Sequence, residues 1–222
     1  MQRNNIFTYN MSIYLADFFE RERRHLGLSL FTSAQRLNLC VMMLKALGRH
    51  HAKGCVLGSI SLNDFIVEVN GQRDIQNVYI RLPAHANKAA GDRAVNPEGW
   101  SAFEHVLPEW IFGENIDEKS DVCMFGQIFM EIWRVMWPLD ENEKLTAKMK
   151  ILVSGEIPPV SDFLALQGMP AAAAISIHDV LVAMTAKEKD RRHDVESLIG
   201  KLEAIHARLS DSQQHAISRS PI

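Results

Sequence analysis

A mainly α-helical domain carrying one short β-hairpin is the fold this chain predicts. Two segments, 33–52 and 120–137, open on capping residues and are apolar nearly all round, so they belong inside a helical body. A third, 194–209, sets Val195, Leu198, Ile199, Leu202, Ile205 and Leu209 on one face at helical spacing. Against these stand only two short strand candidates, "FIVEV" and "VYIRL", joined by a loop containing the turn pair Asn70-Gly71.

The elements follow in order. Ile13 to Arg23 reads as a helix with Leu15, Phe18 and Phe19 as its apolar residues and the basic run "RERRH" at its C-terminal end, where cations complement the helix dipole. Thr32 and Gln35 make a capping box for the next helix, whose polar stripe is Asn38, Lys45 and Arg49. Cys55, Val56 and Leu57 read as a brief strand before the turn Gly58-Ser59, and the hairpin follows. Residues 83–106 have no clear period and read as a long irregular loop. Ser120 is the expected N-cap of the central helix and Asp121 suits its first turn, with Gln127, Glu131 and Arg134 as the polar stripe. Further helices are expected over 142–153 and 176–186, and residues 210–222 form a flexible tail. No internal repeat or low-complexity segment interrupts the order.

Composition excludes several classes. Apolar residues make up 47% and charged residues 23%, the balance of a globular chain rather than a disordered one. A net charge of −3 gives no pull toward nucleic acid. No apolar run approaches the length of about 18 residues that a membrane span needs, and the opening "MQRNN" is no signal peptide. Cys40, Cys55 and Cys123 are scattered among apolar neighbours, which suggests buried thiols in a reducing compartment and hence a cytoplasmic protein. His50, His105, His178 and His193 lack metal-ligand spacing and read as packing or solvent-facing residues.

From about residue 6 to 209, the order of landmarks resembles the large, C-terminal lobe of a eukaryotic protein kinase. "ALGRHHAKGCVLGSISLNDFIV" resembles the family's buried helix, glycine crossing and catalytic loop. "LPE" at 107–109 stands where the family has Ala-Pro-Glu, and "EKSDVCMFGQIFMEIW" is similar to its Ser-Asp-Val-x-x-Phe-Gly helix. "MWPLDENE", "SGEIPPV" and "KDRRHDVESLIGKL" follow in the family's order. The resemblance implies a hinge-like segment at 1–12, a large-lobe domain at 13–209 and no small lobe. Neither a Gly-x-Gly-x-x-Gly loop nor a strand lysine for phosphates is found.

In the family's His-Arg-Asp-Leu-x-x-x-Asn signature the Asp takes the substrate hydroxyl's proton and the Asn holds a metal ion. The matching positions here are Leu57, Gly58, Ser59 and Asp64. Serine at 59 cannot act as a carboxylate base. Asp64 is a weak metal candidate, and Asn63 lies one residue out of register. Where the family's Asp-Phe-Gly should follow the second strand, the chain has Leu82-Pro83-Ala84, and leucine offers a hard cation no oxygen. No cofactor is expected.

The structural positions are kept by the same resemblance. Glu109 should pair with Arg192, Arg191 being the near-register alternative, unless the two are unrelated surface charges. Asp121 should accept hydrogen bonds from the 57–59 backbone, and His51 should end the long helix. The expected function is therefore a pseudokinase that works by binding a protein, a kinase or a second copy of itself. This is similar to truncated kinase mimics that some viruses and intracellular bacteria use in a host cytosol. Its expected partner face is Leu15, Phe18, Phe65 and Ile66, apolar residues near a surface that a small lobe would otherwise cover, with Phe65 and Ile66 either capped by local side chains or left open. The alternative is an atypical ATP-dependent transferase completed by a partner chain, with Asp64 as its encouragement.

Overall fold

The computed structural model describes residues 11–26, 31–70, 74–81, 107–133, 143, 146, 150, 151, 153–157, 160–166 and 169–218. Residues 1–10 of the hinge-like segment, Leu82, the irregular loop of 83–106 and Arg134 lie outside them. The described chain is mostly helical, with one small antiparallel sheet of order β1-β2-β3.

The sheet holds a strand that the helical reading of residues 13–23 had absorbed. Strand β1, Met11–Tyr14, precedes helix α1, Leu15–Leu26. Ile13 turns inward between exposed Ser12 and Tyr14, as in a half-buried strand, while Met11 at its start is exposed. Its partner is β2, Phe65–Val69, which also pairs with β3, Ile75–Ile80. Ile13 stands opposite Val67, and Val67 opposite Val78, so one apolar row crosses all three strands on the inner face. Asn70 and Asp74 close the hairpin loop: the Asp74 N–H donates to Asn70 Oδ1 at 2.9 Å and the Asn70 N–H to the Asp74 carbonyl at 3.0 Å. Residues 55–57 are not a strand; only Val56 makes a single β-bridge.

Helix α2, Ser33–His51, begins with the capping box its sequence implies. The Gln35 N–H donates to Thr32 Oγ1 at 3.2 Å and the Thr32 N–H to Gln35 Oε1 at 2.9 Å. Asn38, Lys45 and Arg49 are exposed, while Leu37, Leu44 and Leu47 are fully buried. After it come the short α3, Pro108–Phe112, and the central α4, Glu118–Ile132.

The cap of α4 is Asp117 rather than Ser120. Asp117 Oδ1 accepts from the Lys119 and Ser120 N–H groups at 2.9 and 3.2 Å. Ser120 sits three residues in and accepts from the Asp117 N–H at 3.2 Å, completing a capping box. Gln127, expected on a polar stripe, is buried beside Cys123, because α4 is surrounded on every side.

Within 142–153, the described residues 143, 146, 150, 151 and 153 are helical. Three helices complete the body: α5, Val160–Leu166; α6, Ala171–Thr185; and α7, Val195–Ser218. The last runs on through 210–218, where a flexible tail was expected. Helix α2 packs on α7 and α4 on α6, so one apolar cluster joins the helices to the inner face of the sheet.

Candidate functional site

His51 and the turn at Leu57 and Gly58 meet Asp121 at the start of α4. Asp121 lies in the first turn of that helix and is wholly buried. Its Oδ2 accepts from the Leu57 N–H at 2.8 Å and its Oδ1 from the Gly58 N–H at 2.7 Å. His51, the last residue of α2, places Nε2 2.9 Å from Oδ2, so the ring donates when Nε2 carries the proton. A buried carboxylate is tolerable only when its lone pairs are met, and here three donors from two segments converge on it.

The turn itself needs glycine. Gly58 has φ of +68°, and a Cβ there would lie 2.7 Å from Ile116 Cδ1. The positive φ strains any residue with a side chain there, and Ile116 would also have to shift its terminal methyl.

Beyond the turn, Ser59 is half-buried and makes no hydrogen bond among the described residues. Asp64 is engaged locally: its Oδ2 accepts from the Ser61 N–H at 2.8 Å and from Ser61 Oγ at 3.0 Å. Among the described residues no group of three or more His, Cys, Asp or Glu side chains is placed to hold a metal ion. Asn63 is exposed.

A second buried constellation ties α3 to the segment before α7. Glu109 and Arg192 are each 1% exposed and form an ion pair through Arg192 Nη1 and Glu109 Oε1, with Nη2 donating to Oε2 at 3.4 Å. Burial separates this from two unrelated surface charges. Arg191 instead lies on the surface near Glu188. The remaining guanidinium donors are met by carbonyls: Nε by Ala186 at 2.7 Å, Nη1 also by Lys119 at 3.1 Å, Nη2 also by Lys187 at 3.3 Å.

Two further residues join this knot in roles that their sequence positions do not announce. Ser120 Oγ donates to Glu109 Oε1 at 2.9 Å, and Lys119 Nζ donates to the Arg192 carbonyl at 2.6 Å. Neither residue stands at a spacing that would announce a partner far along the chain.

The expected partner face is corrected by burial. Leu15, Phe18 and Phe65 are core residues, at 0%, 6% and 0% exposure. Phe18 packs against Phe19 and Phe31 with ring centres 6.2 and 5.6 Å away, and Phe65 meets Phe125 edge-on at 6.5 Å. The alternation of β2 sends Phe65, Val67 and Val69 inward, leaving Ile66 and Glu68 on the outer face. Of the four residues, only Ile66 keeps partial exposure.

That outer face satisfies itself. Glu68 Oε2 accepts from Asn77 Nδ2 at 2.8 Å and from the Tyr79 hydroxyl at 3.3 Å. Arg81 lies over the Tyr14 ring at 5.1 Å and donates to its hydroxyl at 3.0 Å. A shallow cavity of about 150 Å³ opens elsewhere, between the N-terminal half of α2 and the hairpin loop. Phe31, Gln35, Leu39 and Asp74 are among its walls, and none of residues 57–64 is.

Burial pushes the Cys40 and Cys123 thiols up to about 12, so neither is a nucleophile at neutral pH. Loss of hydration, aided by nearby Lys53 and Arg49, lowers His50 below the usual imidazole range. No family model and no curated protein matches this chain. None of the helices among the described residues is long and apolar enough to cross a membrane.

Proposed function

We propose that this chain is a catalytically inactive, protein kinase-like module of the large-lobe type, acting by protein–protein contact as a regulator or decoy of a kinase. One observation carries the proposal. The buried Asp121 carboxylate holds the turn at Leu57 and Gly58, yet the residue this turn presents, at the family's proton-accepting position, is Ser59. A loop anchored by a buried anion but lacking a proton acceptor suits a scaffold used without phosphoryl transfer. The Glu109–Arg192 pair supports the same reading, since "LPE" and "KDRRH" are landmarks of the resemblance.

Nucleotide binding is not expected. Leu82 stands where the resemblance calls for a magnesium-holding carboxylate, and Asp64 already gives one oxygen to Ser61.

The test heats the isolated chain with and without millimolar ATP and magnesium. Coincident melting curves are expected. A ligand at a hundred times its Kd would add about 2.7 kcal/mol of stability, so binding would be plain. A magnesium-dependent rise in Tm, or transfer of labelled phosphate to an acceptor, would overturn the proposal. For the regulatory half, purified protein kinases are assayed on their own substrates with and without the chain. A changed rate for at least one is expected, and unchanged rates throughout would remove that role.

A further inference from the structure

We draw no further inference here: the strongest candidate, the outer face of the three-stranded sheet with Tyr14, Ile66 and Tyr79 in one row, has its polar groups paired across its own strands, and nothing in the structure shows what covers it.

Discussion

Arg192 is a fully buried cation whose cost in desolvation is met by one carboxylate and three backbone carbonyls. Removing Glu109 strands the guanidinium, and removing Arg192 strands the carboxylate that Ser120 also serves. Glu109→Ala and Arg192→Ala are each expected to destabilise by about 3–5 kcal/mol, and the double variant by less than their sum. Denaturant titration of the four proteins measures this; small additive losses would mean that the pair is not coupled. Arg192→Lys should not rescue, because an ammonium cannot reach carboxylate and carbonyls in the same fork. The thiols give a second residue-level test. Cys40 and Cys123 are enclosed and held protonated, whereas Cys55 is half-buried. Brief alkylation of the native protein should therefore label Cys55, with all three reacting in denaturant. Rapid native labelling of Cys123 would contradict the enclosed core of α4.

Helix α4 approaches α6 so closely that no side chain fits between them at Gly126. A Cβ there would lie 2.5 Å from Thr185 Cγ2 and 3.1 Å from Met184 Cβ. Thr185 is itself held, its hydroxyl donating to the Leu181 carbonyl at 2.9 Å. Gly126→Ala raises helix propensity but must push the helices apart, so a net loss of about 1–3 kcal/mol is expected. A variant as stable as the parent would show that the contact yields easily. How much of each element was legible depends on where its signal lies. The α2 capping box is written in two residues three apart, and the apolar periods of α2, α4 and α7 are long enough to read. Strand β1 is only four residues long and runs without a break into α1, too short for a period of two to stand out. Asp117 was passed over as a cap because Ser120 is an equally good cap by type, and only geometry tells the two apart. At the site, Asp121, Glu109 and Arg192 were reached through ordered landmarks. Lys119 and Ser120 join them through contacts distant in sequence. The burial of Phe18 and Phe65 is not legible locally, because the covering groups Phe31 and Phe125 come from other parts of the chain.

At the scale of the whole molecule, the burial of Leu15, Phe18 and Phe65 decides what the fold requires. Ile13, Val67 and Val78 of the sheet belong to the same buried cluster as Leu44 of α2, Phe125 of α4, Leu181 of α6 and Leu202 of α7. Apolar surface removed from water stabilises by roughly 25 cal/mol per Å² whichever element supplies the cover. Here the chain covers Leu15, Phe18 and Phe65 with its own side chains, so folding has no need of a partner at those residues. The isolated protein should accordingly unfold with a midpoint that does not move with protein concentration. With Trp100, Trp110 and Trp137 replaced by Phe, Trp133, fully buried at the end of α4, reports on the helical body by fluorescence, and far-UV circular dichroism reports on the backbone. A shared core should bring the two signals to one transition in urea. An early circular-dichroism change at constant fluorescence would mean that part of the backbone unfolds apart from the core around Trp133. A midpoint rising with concentration would mean that association is part of the folded state, since anything bound only to the native form stabilises it by mass action. In that event a second copy, and not a kinase, would be the first partner to pursue.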